Sequence, residues 1–239
     1  MSDQNEKVPD ESVPPPPPSE EENDKGTDAA DEPTKSLELN DEWTLWFDNP
    51  KLAAPGVDWK DNLKTLGTFK TVPDFWRVYN NVLPPSMIQA SSNYSIFRKG
   101  ILPAWEHPAN LDGGKFVLTL PKPKNNNQNN SQKNQGGGVH GGTKDVPKLD
   151  EYWLFTILAV LGETMDATGD QVCGAVVSNR KSQDRIALWL KTGDQAVCVR
   201  IGERWKKALD MEKTTLRYQT HKDAAATGRS FRIDVHFEV

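Results

Sequence analysis

Apolar and polar positions along this chain follow two different periods. EWTLWF, SIFRKGI, KFVLTL, CGAVVSNR, RIALWL and RIDVHFEV alternate at every second residue and are rich in β-branched and aromatic side chains, which predicts strands. Three other stretches follow the helical period. TVPDFWRVYNNV opens with Thr71 three residues ahead of Asp74, a start resembling a capping box. LDEYWLFTILAVLGETM is long and apolar, and DQAVCVRIGERWKKALD begins at a capping Asp194 and places Val197, Ile201, Trp205 and Leu209 at intervals of four. Strands and helices joined by short connections predict an α+β domain, with one curved antiparallel sheet carrying helices on one face.

The helices carry more apolar surface than one sheet face can cover. On the long helix, Tyr152, Trp153, Thr156, Ile157, Val160 and Leu161 form one face, while Leu154, Phe155 and Leu158 lie roughly opposite. On the first helix, Phe75, Val78 and Val82 can face the sheet, and Val72 and Trp76 form a second stripe. Spare stripes on two helices predict a groove for the amphipathic helix of a partner.

Strand alternation also sorts the polar side of the sheet. In RIALWLK, Ile186, Leu188 and Leu190 share one face, leaving Arg185, Ala187, Trp189 and Lys191 on the other. Arg180 ends the face that holds Gly174, Val176 and Ser178, and the loop from Lys181 to Asp184 brings Arg180 and Arg185 to one tip. Lys115 lies opposite Phe116, Leu118 and Leu120. Three cations and Trp189 therefore share the side of the sheet expected to be uncovered. Of eight tryptophans, Trp43, Trp46, Trp153 and Trp205 have core-compatible spacing, and Trp76 and Trp189 fall on outer faces. Trp59, in APGVDWKDN, and Trp105, in GILPAWEHPANLDGG, stand in loops stiffened by proline. Aromatic and basic side chains on one surface recur in the recognition of single-stranded nucleic acid.

Composition narrows the partner class. Residues 1–36 hold eleven acids against three lysines, a net of −8, whereas the whole 239-residue chain carries −5, so the remainder is +3. That excess is too small to coat a duplex and predicts contact with only a few phosphates. The first 36 residues have almost no large apolar side chains and contain a run of five prolines, which predicts a disordered tail before a domain at 37–239. Residues 121–148 form an Asn/Gln/Gly-rich insertion between two patterned stretches, and His140 within it is a lone histidine. Cys173 and Cys198 stand in apolar runs, so a disulfide scaffold is excluded and reduced thiols in the cytoplasm, or also the nucleus, are expected. No apolar run of membrane-spanning length and no signal-peptide pattern occurs. Convergent carboxylates, a phosphate-cradling Gly-rich loop and a nucleophile constellation are likewise missing, which argues against an enzyme acting on nucleotides.

EWTLWF, VPDFWRVYN, PAWE, WLFTILAVLGE, VCGAVVSNR and DRIALW, in this order and spacing, resemble the eukaryotic translation initiation factor 4E family, which binds the 5′ cap of messenger RNA. The resemblance runs from Leu37 to Val239 outside the insertion. It implies about eight antiparallel strands backed by three helices, a slot on the concave side, no cofactor or metal, and a monomer. By position, Trp59 and Trp105 would sandwich 7-methylguanine, Glu106 would accept from the guanine edge, and Trp189 would pack on the N7-methyl. Arg180, Arg185 and Lys115 would hold phosphates, Lys115 standing where the family more often has arginine. Val72, Trp76, Leu154 and Leu158 match the family's docking surface for the scaffold protein 4G and for 4E-binding repressors. Phe155 replaces the glutamate common there, and Leu37 and Glu38 replace a His-Pro pair. Ser230 falls near the family's regulatory phosphorylation position, and the neighbouring Arg229 is within reach of the nucleotide after the cap. The implied function is cap binding with recruitment of the initiation machinery through a scaffold. A cap-binding repressor or regulatory paralogue with altered partner preference is the nearest rival.

Overall fold

The computed structural model describes residues 37–53, 55–56, 58–122, 146–166, 168–226 and 236–239. Eight strands make one antiparallel sheet: β1 (Glu38–Asp48), β2 (Lys64–Thr71), β3 (Asn93–Arg98), β4 (Gly114–Pro121), β5 (Val172–Ser178), β6 (Gln183–Leu190), β7 (Arg217–Thr220) and β8 (Phe237–Glu238). Their spatial order is β2-β1-β3-β5-β6-β4-β7-β8. The helices are α1 (Val72–Tyr79), α2 (Lys148–Leu161), α3 (Gln195–Ala208) and the short α4 (His221–Ala226), with a 3₁₀ turn at Trp59–Asn62.

Local chemistry sets the helix starts. Thr71 caps α1 by accepting from the Asp74 amide at 3.2 Å while its hydroxyl donates to the Asp74 carboxylate at 2.8 Å. Asp194 caps α3 through the Val197 amide at 3.0 Å. Helix α2 has no side-chain cap and is held by its buried face instead. The side chains Trp153, Thr156, Ile157, Val160 and Leu161 are buried and Tyr152 is half-buried, as the periodicity predicts. The Trp205 indole donates to Thr156 Oγ1 at 3.0 Å, joining α3 to α2 inside the core.

Because side chains alternate across each strand, the sheet separates two apolar clusters. The larger one joins Trp43, Leu45, Ile96, Phe116, Ile186 and Leu188 to Trp153, Ile157, Ile201 and Trp205 of the helices. On the other face Trp46, Phe97, Cys173 and Trp189 form a smaller cluster, flanked by Leu63, Ile101, Val176 and Ala187. Gly174 makes that second cluster possible. It pairs with Phe97 on β3 and Trp189 on β6, and a Cβ there would lie 2.5 Å from the Phe97 ring and 2.3 Å from the Ile96 carbonyl oxygen. With no side chain in the way, Phe97 meets Trp189 edge-on at 5.4 Å.

Arg98 locks one end of the sheet. Its guanidinium donates to the Val172 carbonyl at 2.9 Å and to Gly169, and pairs with Asp41 and Glu163. The loop between α2 and β5 is thereby tied to β1 and β3. Cys173 and Cys198 are both free and buried. Among the described residues, no helix is long and apolar enough to cross a membrane. The acidic tail, His140 and most of the insertion lie outside the described residues. At the insertion's ends, Pro121 belongs to β4 and Lys148 to α2.

Candidate functional site

A cleft of about 240 Å³ opens on the face of the sheet opposite the helices. Its walls include Asp48 of β1, Asn93 and Ser95 of β3, Lys115 and Val117 of β4, Val176 and Ser178 of β5, and Arg185, Ala187 and Trp189 of β6. Trp59, Leu63, Pro103 and Arg180 close it from the connecting segments. Each strand contributes alternate residues, so the cleft follows from the two-residue period once the register is fixed.

Trp59, Lys115, Arg180, Arg185 and Trp189 are thus gathered into one cleft. Trp105 and Glu106 are not among its walls; they stand two and three residues beyond the lining Pro103, exposed on the rim loop. Trp59 is 42% exposed on the 3₁₀ turn and Trp105 44% exposed, and among the described residues neither packs against another ring. That is costly placement for two indoles unless a flat ligand covers them. The rim loop is stiff for a reason beyond its prolines. Asn110 is fully buried inside it and donates to the carbonyls of Leu102 and Ala104 at 3.0 and 2.7 Å. The His107 carbonyl accepts from the amides of Asn110 and Leu111 at 2.8 and 3.1 Å.

One expectation needs correction. Lys115 and Trp189 share the polar side of the sheet, as alternation predicts, yet that side is not uncovered where they stand, since they are only 8% and 9% exposed. His221 at the start of α4 lies against the Trp189 ring at 4.1 Å, and Phe97 meets it from β3. The concave face is therefore a second, partly buried layer with a polar floor.

Residues that the pattern of the chain leaves anonymous hold the cations in place. The Arg180 guanidinium donates to the carbonyls of Ser92 and Asn179 at 3.1 and 3.0 Å and to Asn93 Oδ1 at 2.7 Å. Asn93 in turn donates to Asp48 at 2.8 Å and accepts from the Ser178 hydroxyl at 2.8 Å. Asn179, buried at the end of β5, donates to the carbonyls of Pro85 and Ile88 at 3.0 Å each and so pins the loop after α1 to the β5–β6 turn. Asp184 accepts from the Arg180 amide at 2.9 Å and pairs with Lys122 at 3.0 Å. No local motif marks Asp48 or Asn93, and the contacts of Asn179 with Pro85 and Ile88 and of Asp184 with Lys122 join segments far apart in the chain.

Electrostatics gives the cleft a clear sign. Three cations face one carboxylate, Asp48, which burial pushes above the usual carboxylate range against the opposing pull of Asn93 and Arg180. Burial lowers Arg180, and burial together with the neighbouring Arg180 lowers Arg185. Lys115 is drawn down to about 8, first by burial and then by Arg185. Burial, helped by Lys115, holds His221 down at about 3, so it is neutral near pH 7. A partly desolvated cationic floor with the exposed indole of Trp59 in its wall suits a ligand with a flat aromatic part and an anionic chain. Among the described residues, no group of three or more His, Cys, Asp or Glu is placed to hold a metal ion.

On the helical side, Val72, Trp76 and Leu154 are half-buried, while Phe155 and Leu158 are 38% and 40% exposed on the outer face of α2. The outer stripe of α2 is thus present, whereas Trp76 of α1 also packs against the core, its ring 4.8 Å from that of Phe75. Ser230 and Arg229 lie outside the described residues.

The sequence model of the family described as Eukaryotic initiation factor 4E matches residues 38–235. Eukaryotic translation initiation factor 4E-2 of Schizosaccharomyces pombe is 38% identical over 196 residues, covering 81% of this chain and 71% of the relative. Eukaryotic translation initiation factor 4E-1 of Glycine max is 34% identical over 212 residues, covering 86% and 78%. Among solved structures, C. elegans eIF4E-3 in complex with the 4E-binding protein Mextli is similar at a TM-score of 0.68, with 30% identity over 85% of this chain and 99% of that one. Ascaris suum eIF4E-3 in complex with the m7G cap is similar at a TM-score of 0.67, with 29% identity over 85% and 98%.

Proposed function

The chain belongs to the eukaryotic initiation factor 4E family, and we propose that it binds the 7-methylguanosine cap of messenger RNA in the concave cleft and recruits the initiation machinery through its helical face in the cytoplasm. The observation that carries this reading is the cleft itself, in which the indoles Trp59 and Trp189 line one space with Lys115, Arg180 and Arg185. A 4E-binding protein seated on one similar structure and a cap on another support the two activities. The protein acts by binding, not by turnover.

The chemistry follows from charge. Methylation at N7 makes guanine a cation, and the faces of Trp59 and Trp105 would attract it through their quadrupoles, at about 0.5–2 kcal/mol each when desolvated. Glu106, next to Trp105 in the chain, would accept from the N1–H and N2 amino group in a charge-assisted pair worth roughly 1.5–3 kcal/mol. Adenine offers an acceptor at N1 and would leave that carboxylate unmatched. Trp189, fixed by Phe97 and His221, would form the wall against the methyl group, and Arg180, Arg185 and Lys115 would meet the phosphate chain. Asn110 and the prolines hold the rim loop before the ligand arrives, which lowers the ordering cost on binding.

Retention on a resin bearing 7-methyl-GTP tests this directly. Elution by free 7-methyl-GTP but not by GTP is the expected result; passage through the resin, or elution by both nucleotides alike, contradicts it. On the helical face, the apolar Phe155 favours a partner helix that presents an apolar side chain there. A repressor is distinguished from a scaffold by whether the bound partner raises or lowers translation of a capped message.

A further inference from the structure

Lys115 stands at the deep end of the cleft. It pairs across the sheet with Trp189 on β6 and with Gln219 on β7, so all three project from the same face. Its ammonium lies 5.7 Å from the centre of the Trp189 ring, and among the described residues it has no hydrogen bond and no carboxylate partner. The floor around it holds dipoles instead of anions. Gln219 is buried with both amide atoms unpartnered, and so is Nε2 of His221, whose ring backs Trp189.

The charged and titratable groups around this amine come from several elements. Arg185 projects from β6, Arg180 from the turn after β5, His221 from the start of α4 and Asp48 from β1. Lys222, also on α4, is held away by Asp112 at 2.8 Å. Asp48 is engaged with Asn93, and His221 is neutral. A buried amine next to Arg185, facing a carboxamide that can donate or accept in either protonation state, has only the Trp189 ring and no anion to favour its charged form.

We propose that Lys115 is a proton-linked phosphate contact, whose charge is completed only when the ligand's phosphate chain supplies the counter-anion that the protein withholds. This deepens the cap-binding reading and rests on it. In the empty cleft, burial and Arg185 hold the amine at about 8, below its ordinary 10.5. A phosphate beside it opposes both causes and raises that value. The free protein therefore carries the charge below about pH 8 and loses it above, while the complex keeps it further into the alkaline range. In that window the ligand must bring a proton with it, and affinity falls by up to about tenfold per pH unit for one linked proton. Arginine at the same position stays charged and cannot be linked in this way.

The test compares 7-methyl-GTP with the 7-methylguanosine nucleoside on the full-length protein across the alkaline range. Titration of the methylated base affects both ligands and largely cancels in the ratio of their affinities. The remainder, from the phosphates' own charge, acts against the predicted fall, and phosphate ionisation is complete below the window. The expected ratio is level up to about pH 8 and falls by up to about tenfold over the next unit. In Lys115→Arg it stays level throughout. Calorimetry of the unaltered protein in two buffers of different ionisation enthalpy reads the same linkage without a variant, as net proton uptake for the triphosphate beyond that for the nucleoside. A level ratio in the unaltered protein, an equal fall in Lys115→Arg, or no extra proton uptake overturns the proposal while cap binding stands. Failure of both ligands to bind at any pH overturns the cap-binding reading and this one with it.

Discussion

The two sides of this sheet are made by the same strands, yet one is sealed and the other is left open. On the helical side Trp43, Trp153 and Trp205 are buried in a continuous core. On the concave side the apolar cluster is small, a cationic cleft opens beside it, and Trp59 and Trp105 stay exposed at its margin. The same residue type is therefore used for stability on one side and, in the proposed function, for the ligand on the other. Substitutions should separate the two uses.

The largest effect should come from the sealed side. Trp205→Ala removes a fully buried ring and its hydrogen bond to Thr156, and is expected to cost about 3–5 kcal/mol of folding stability in a denaturant titration. Trp59→Ala should leave the denaturation midpoint almost unmoved and weaken 7-methyl-GTP by about 1–3 kcal/mol. If Trp59→Ala unfolds the protein instead, the contrast between the two sides fails. Glu106→Ala should cost roughly 1.5–3 kcal/mol in cap affinity, again without a stability change, because the exposed carboxylate has no hydrogen bond among the described residues. Equal affinity in that variant would remove Glu106 from guanine recognition. The outer face of α2 gives the last contrast. Leu158→Asp should cost about 1 kcal/mol of stability and abolish co-purification of a partner helix, with cap affinity kept.

Much of this contrast could be read in the chain, and the parts that could not share a cause. The opposed faces of α2 were legible because six residues mark one side of the helix and three the other, and both faces stand as the pattern predicts. The sorting of β6 into Ile186, Leu188 and Leu190 against Arg185, Ala187 and Trp189 was equally plain. Strand β2 was not, since KTLGTFKT is an edge strand whose polar residues and glycine weaken the alternation. Strand β7 and helix α4 are too short to show a period, and His221 with them. RIDVHFEV reads as a long strand; of its residues, 236–239 are described, and Phe237–Glu238 form β8. The supports of the cleft escaped for another reason. Asn93 sits under Arg180 only because β3 and β5 pair in one register, and Asn179 reaches a loop some ninety residues earlier in the chain. Such roles are properties of the assembled sheet, not of any local pattern.

The account turns on two exposed indoles waiting for a cationic purine. Tryptophan fluorescence, followed while 7-methyl-GTP and then GTP are titrated into the protein, tests that most directly. Strong saturable quenching by the methylated nucleotide, much weaker by its unmethylated counterpart and diminished in Trp59→Ala, is the predicted result. Equal quenching by the two nucleotides, or a response that Trp59→Ala leaves unchanged, would contradict it.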